Sequence, residues 1–158
     1  MPAEAAHEVM RVLHACRAVE LAMAGLYEAL AEIHDHEPVL LRLWKKTAGE
    51  EHNHAAQFSL LIDAIADSVQ STKVDAQALE GIRRAVENTT EEFRLRSPSP
   101  REALVTVIDF EEAMDQVHAH HSLVFSDVRC QRMFKAMMAA DAGHVAELRR
   151  ALGTLGPG

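Results

Sequence analysis

The chain has 158 residues, which is enough for one domain with its own hydrophobic core. Apolar residues make up 48% of it but aromatic residues only 4%, a balance that favours helices over strands. The formal net charge of −8 argues against a nucleic-acid partner, and no segment is long and apolar enough to predict a membrane span. We expect a cytoplasmic protein in which residues 1–158 form a single domain, with 153–158 as a tail.

Two long amphipathic helices are predicted in the first half of the chain. Apolar residues at steps of three and four predict the first helix over about 3–34. Pro38 suits the first turn of a second helix that extends to about residue 65. His34 and His36 fall at the break between the two helices, and we expect both to lie at the surface.

The second half of the chain begins with a more polar segment, about 73–96, that could form one or two shorter helices. Two serine–proline pairs at 97–100 end this segment, and two further long helices are predicted over about 104–125 and 134–151. Short connections make antiparallel neighbours, whereas a long one allows a crossover. We therefore predict an all-α fold without strands, with two antiparallel helix pairs joined by a long crossover that contains extra helix.

Each of the four long helices carries a carboxylate among the apolar residues of one face, and two of the helices add a histidine three positions later. In chain order, these residues are Glu20, Glu51 with His54, Glu111, and Asp141 with His144. Residues three apart share a helical face, so all six side chains can point into one interior. Burying four carboxylates is costly unless positive charge compensates them. Two divalent metal ions are the simplest compensation, and mixed oxygen and imidazole ligands suit iron or manganese, with zinc as an alternative.

The repetition of the pattern distinguishes it from chance. A single Glu-x-x-His is weak support in a chain with 24 acidic residues and 10 histidines. However, the separation between Glu20 and Glu51 matches that between Glu111 and Asp141 to within one residue. A register slip would replace Glu111 with Glu112, but Glu112 falls off the apolar face of its helix. We therefore prefer Glu111.

Two further side chains lie two helical turns beyond a predicted carboxylate. Tyr27 follows Glu20, and His118 follows Glu111. The Tyr27 hydroxyl either bonds to a metal-bound carboxylate or finds another acceptor in the core. His118 could support a ligand in the same way, or it could bond to the backbone.

The residues named above resemble those of the ferritin-like superfamily, specifically a stand-alone di-iron domain of the rubrerythrin type. The resemblance covers about residues 6–152 and rests on Glu20, Tyr27, Glu51, His54, Glu111, Asp141 and His144. It implies a ferritin-like four-helix bundle in which the six carboxylate and histidine residues bind two iron ions. It also implies a non-haem di-iron oxidoreductase, expected as a homodimer, that reduces hydrogen peroxide or dioxygen with electrons from an external donor protein.

The chain departs from the family pattern in three places. Asp141 stands where Glu is usual, and Met114 stands where rubrerythrins carry a further Glu. The chain also lacks a rubredoxin module. Two other functions therefore stay open at this point: a ferroxidase or iron-handling protein, and a metal-free helical interaction module.

Overall fold

The structure is a computed structural model that describes residues 3–65, 69–71, 76–119, 124–125 and 127–156. Side chains are described within these ranges except at residues 3–6, 64–65, 69–71, 118–119, 124–125 and 141. Five helices make up nearly all of the described chain: α1 Ala3–Ile33, α2 Pro38–Ile65, α3 Ala76–Arg96, α4 Pro100–Ala119 and α5 Val128–Thr154. The prediction of a helical chain is confirmed.

A short antiparallel sheet joins two of the connections between helices. β1 is Val69–Ser71, between α2 and α3, and it pairs with β2, Val124–Phe125, between α4 and α5. No strand is predicted in either place, because runs of three and two residues are too short to show an alternating pattern. The prediction that the third long helix includes Phe125 is therefore wrong. The pairing brings the α2–α3 connection next to the α4–α5 connection.

α1 and α2 form an antiparallel hairpin. Pro38 takes the first position of α2, where its missing N–H leaves no helical bond unmade. Two contacts show their opposite directions. Glu20, earlier in the chain, lies beside His54, whereas the later His34 lies beside Trp44, which comes before His54. The large buried side chains of the hairpin are Leu13, Met23, Leu26, Tyr27, Leu30, Trp44, Phe58 and Leu61.

α3 packs along α1 and runs in the same direction. Glu80, early in α3, lines a surface cleft with His14 of α1, whereas Arg94, late in α3, lines one with Gly25. The face of α3 that is turned inward buries Leu79, Val86 and Phe93. α3 therefore carries the chain back along the hairpin before α4 begins.

α4 and α5 form a second antiparallel pair. Arg101, near the start of α4, donates to the carbonyl oxygen of Gly156, just after α5. Further along, Glu112 of α4 forms an ion pair with Arg149 of α5. The apolar faces of the two helices add Leu104, Val107, Ile108, Phe134, Met137 and Leu148 to the buried core.

His34 is buried, so the prediction that it lies at the surface is wrong. Its side chain is 3% exposed and accepts a hydrogen bond at Nδ1 from Trp44 Nε1, with an N···N distance of 3.1 Å. Because Nδ1 accepts, Nε2 carries the proton and donates to the carbonyl oxygen of Pro98, 3.0 Å away. These two partners belong to different segments of the chain, which a local pattern does not reveal. His36 is exposed, as predicted.

The first three helices end near the predicted positions, but the last two are shifted. α4 ends at Ala119 rather than near residue 125, since 124–125 form β2, and α5 begins at Val128 rather than near 134, because Asp127 caps it. α4 begins at Pro100 because the hydroxyl of Ser99 caps it and accepts a hydrogen bond from the Glu102 amide at 3.2 Å. α5 continues to Thr154, so the tail is shorter than predicted. None of the helices in the described ranges combines the length and apolar character needed to cross a membrane.

Candidate metal centre

Three of the predicted carboxylates are buried together between helices. Glu20 of α1 and Glu51 of α2 are each 1% exposed, and Glu111 of α4 is 3% exposed. Each lies on the apolar face of its helix, so the packing that buries this face also carries the carboxylate inward. His54 of α2 and His144 of α5 are buried with them. Five of the six predicted ligands therefore lie in the interior.

Glu51 belongs to two groups of residues that could hold a metal ion. One group is Glu20, Glu51 and His54, and the other is Glu51, Glu111 and His144. Within each group, one potential ligand atom from each residue lies within 4.8 Å of the others. Because the groups share Glu51, its carboxylate lies between two adjacent candidate sites.

Both imidazole rings present Nδ1 to the shared carboxylate. His54 Nδ1 lies 3.6 Å from Glu51 Oε2, and His144 Nδ1 lies 3.1 Å from Glu51 Oε1. His54 Nδ1 is also 3.7 Å from Glu20 Oε2. The two rings stack with their centroids 5.5 Å apart and their planes at 22°. Each oxygen of Glu51 therefore faces a different histidine.

The carboxylate of Glu51 is buried without a hydrogen-bond donor. Neither of its oxygens accepts a hydrogen bond from any of the described residues. Nδ1 of His144 likewise has no hydrogen-bond partner among them. An unsatisfied buried polar group costs about 1–3 kcal/mol, and a charged one costs more. A cation between these atoms would remove that cost, and carboxylates with imidazoles are ligands suited to iron, manganese and zinc. The residues present therefore fit metal ions.

The side chains of this cluster shift one another's pKa values. Burial raises the pKa of Glu51, but contacts with Glu20, His144 and His54 outweigh burial and bring the pKa well below its ordinary value. Burial lowers the pKa of His144, but the carboxylates of Glu51, Glu111 and Glu50 together raise it by more. Both shifts favour a negative charge on Glu51 with a positive charge beside it.

Tyr27 supports one of the buried carboxylates. Its hydroxyl donates a hydrogen bond to Glu111 Oε1 at 2.6 Å and thereby links α1 to α4. Burial and the nearby negative charge of Glu111 raise the pKa of Tyr27 well above its ordinary value, so the hydroxyl stays protonated. The structure thus brings the hydroxyl to a carboxylate of the cluster, and metal binding by that carboxylate stays a prediction.

The structure also distinguishes Glu111 from Glu112. Glu111 is buried in the cluster, whereas Glu112 is partly exposed and pairs with Arg149 on α5. Glu111 is therefore the inward-facing carboxylate of this pair, and its role as a metal ligand stays a prediction. Met114, three positions later on the same helix, is buried in the core.

Two of the predicted side chains lie outside the described residues. Asp141 is a backbone position of α5, three residues before His144, and His118 is a backbone position near the end of α4. Their predicted roles, as a ligand and as support for a ligand, stay predictions.

Glu50 approaches the centre, although the sequence predicts no role for it. Its Oε2 atom lies 2.9 Å from His144 Nε2, and its Oε1 atom lies 3.8 Å from the ammonium of Lys46. Lys46 also donates to Glu147 of α5 at 2.5 Å. The only local signal of this arrangement is the four-residue spacing of Lys46 and Glu50, which is common on helix surfaces.

Comparison with known proteins assigns no family. No protein-family model, curated protein or solved structure matches the chain. The resemblance to the ferritin-like superfamily therefore depends on the residues of the site and on the order of the helices.

Proposed function

We propose that α1, α2, α4 and α5 form a ferritin-like four-helix bundle around a dinuclear metal centre. The proposed ligands are Glu20, Glu51 and His54 for one ion and Glu51, Glu111 and His144 for the other, with Asp141 as a fourth carboxylate. The observation that carries the proposal is that Glu51 is common to both buried groups. Two divalent ions would also balance the charge of four buried carboxylates.

The directions of the helices support this bundle. α1 and α2 are antiparallel, α4 and α5 are antiparallel, and α3 carries the chain back along α1 between the two pairs. Two antiparallel pairs joined by one long crossover is the topology of ferritin-like bundles. Contacts across the centre then join the pairs, through Tyr27 with Glu111 and through Glu51 with His144.

We further propose that the protein is a rubrerythrin-like di-iron oxidoreductase that reduces hydrogen peroxide. Bound by these residues, two ferrous ions would supply the two electrons that, with two protons, reduce hydrogen peroxide to two molecules of water. The chain contributes the shared carboxylate of Glu51, the hydroxyl of Tyr27 that orients Glu111, and an apolar surrounding that limits water. Electrons would come from an external donor, because the two cysteines of residues 1–158 cannot form a rubredoxin iron site.

Anaerobic loading with Fe(II) tests the centre and the reaction together. We expect two irons per chain, oxidised much faster by stoichiometric peroxide than by dioxygen. Many irons per chain, with dioxygen as the better oxidant, would instead indicate ferroxidase and storage activity. No stoichiometric binding of iron, manganese or zinc would contradict the centre and would favour a metal-free helical module.

Paired variants test which carboxylates bind metal. Glu51→Ala should abolish loading at two equivalents, because it removes a ligand of both ions. Glu111→Gln should weaken the binding of one of the two metal equivalents. Glu112 is the next residue on the same helix, and Glu112→Gln should bind metal like the unmodified chain. Isothermal titration with Zn(II) measures all three. Equal effects of the two Gln variants would contradict the assignment of Glu111.

A further inference from the structure

Glu50 lies between His144 and Lys46, and a different oxygen faces each of them. Its Oε2 atom is 2.9 Å from His144 Nε2, and its Oε1 atom is 3.8 Å from Lys46 Nζ. The Glu50 side chain is 35% exposed, yet Oε2 itself is buried on the inner side. Lys46 is in turn bound to Glu147 at 2.5 Å, so a chain of charged groups extends from the surface to His144.

A hydrogen bond to Glu50 would determine which ring nitrogen of His144 carries the proton. The other nitrogen then has a free lone pair that faces the centre. An ionised carboxylate only accepts hydrogen bonds, so a hydrogen bond between this pair requires the proton to be on Nε2 of His144. In a neutral imidazole, Nδ1 is then unprotonated, and Nδ1 is the atom 3.1 Å from Glu51 Oε1. Metal-binding histidines generally have this arrangement, in which one nitrogen donates to a carboxylate and the other binds the ion.

The His144–Glu50 pair is close but not yet aligned. The two atoms are at hydrogen-bond distance, whereas Glu50 Oε2 does not receive a hydrogen bond of good geometry from any residue of the described ranges. Alignment of Nε2–H with Oε2 requires the imidazole to rotate about its bond to Cβ. Hydrogen bonds at such sites often become aligned only when the ligand is bound.

We propose that Glu50 is a positioning residue that fixes the imidazole of His144 with Nδ1 directed at the ion shared with Glu51 and Glu111. Lys46 holds the second oxygen of Glu50 and so keeps the carboxylate beside the ring. This inference rests on the proposed dinuclear centre and deepens it, because it assigns one of the two sites an orienting carboxylate from the surface of α2.

Zn(II) titration of variants of the full chain tests this role. Glu50→Ala should raise the dissociation constant of one of the two equivalents about tenfold to a hundredfold, the usual effect of removing an outer partner of a ligand. The other equivalent should change less than twofold. Glu50→Gln keeps an oxygen that accepts from Nε2–H, so it should restore most of the lost affinity. Glu147→Ala is the matched control, because Glu147 contacts Lys46 but not His144, and it should bind like the unmodified chain.

A spectroscopic measurement separates positioning from a general loss of structure. In the Zn(II)-loaded chain, ¹⁵N-labelled His144 should show a protonated Nε2 whose hydrogen is protected from exchange with water. The same hydrogen should exchange rapidly in Glu50→Ala and remain protected in Glu50→Gln. Circular dichroism of each variant shows whether the helices are retained.

The outcomes distinguish this inference from the function on which it rests. If the unmodified chain does not bind two equivalents, the dinuclear centre and the role of Glu50 are both overturned. If it binds two and Glu50→Ala binds them equally well, only the role of Glu50 is overturned. Equal weakening of both equivalents, or Glu50→Gln behaving like Glu50→Ala, would also overturn it.

Discussion

Tyr27 shows how a single hydroxyl can satisfy a buried charge. The side chain lies in the core of the α1–α2 hairpin, and its hydroxyl reaches Glu111 on α4. A hydrogen bond to an ionised partner contributes more to stability than a neutral one, and its removal leaves a carboxylate less well compensated. Tyr27 therefore stabilises the chain even before any metal binds.

Replacing Tyr27 with Phe should lower the free energy of unfolding of the metal-free chain by about 1–3 kcal/mol. Urea denaturation followed by the fluorescence of Trp44 measures the change. Thr47→Val is a suitable control, because the buried Thr47 hydroxyl donates only to the Leu43 carbonyl of its own helix. This control should lose less stability, and an equal loss in both variants would contradict a special contribution from the Tyr27–Glu111 bond.

At the scale of the residue, the helical period predicts much of the site. Glu20, Glu51 and Glu111 are predicted because each interrupts an apolar face, and such faces are buried wherever the helices pack. No local pattern predicts the role of Glu50, because its partner on α5 is brought near only by the approach of two helices far apart in sequence. Local spacing predicts which way a side chain points, but not what it meets there.

At the scale of the element, His34 connects three segments. It follows the last residue of α1, accepts a hydrogen bond from Trp44 of α2 and lies against the carbonyl of Pro98 before α4. Both ring nitrogens are therefore used, and both partners are buried with the ring. This junction fixes the α1–α2 turn relative to the α3–α4 connection.

Substituting His34 with Ala should cost about 2–4 kcal/mol of stability, because it leaves two buried polar partners unsatisfied. His36→Ala, two residues away and exposed, should change stability by less than about 0.5 kcal/mol. Thermal unfolding of both variants gives the comparison. Similar melting temperatures for the two would mean that the His34 bonds contribute little.

The residue that follows α3 has a strained backbone conformation that glycine would relieve. Ser97 has φ of 41°, in the left-handed region, and its amide bonds to the Phe93 carbonyl at 2.9 Å to close the helix. Left-handed backbone costs a side-chain-bearing residue roughly 1–2 kcal/mol, whereas glycine adopts it freely.

Ser97→Gly should therefore raise the free energy of unfolding by about 0.5–1 kcal/mol, after subtraction of the greater freedom of glycine in the unfolded chain. Ser99→Ala should have the opposite effect and lose about 1 kcal/mol, because Ser99 caps α4. Chemical denaturation of both variants provides the test. A loss of stability in Ser97→Gly would show that the left-handed backbone is not strained.

The sequence predicts the extent of the helices better than the short elements between them. Long amphipathic stretches and the prolines at 38 and 100 locate all four long helices and the helix of the crossover. The β1–β2 pairing is too short to produce a pattern, and its two strands lie far apart in the chain. Such pairing depends on where the helices place their connections, which no local window contains.

Polar contacts, most of them buried at the candidate metal centre, connect the α1–α2 pair with the α4–α5 pair. The α1–α2 hairpin and α3 together contain most of the large buried side chains. Three polar contacts connect them to α4 and α5: Tyr27 with Glu111, Lys46 with Glu147, and Glu51 with His144. Without cations, the carboxylates on opposite sides of the centre repel one another. We therefore expect metal binding to strengthen the association of the α4–α5 pair with the rest of the chain more than it strengthens the α1–α2 hairpin.

Amide hydrogen exchange of the metal-free and Zn(II)-loaded chain tests this expectation. Binding to the folded state alone stabilises it by about 2.7 kcal/mol per site when free metal is a hundredfold above the dissociation constant. Because the two proposed sites span both helix pairs, the amides of α4 and α5 should gain more protection than those of α3, which contributes no ligand. Glu51→Ala should abolish the gain, and the exposed Glu32→Ala of α1 should retain it. Protection that rises equally in α3 and α5, or that persists in Glu51→Ala, would mean that metal binds elsewhere and does not join the helix pairs.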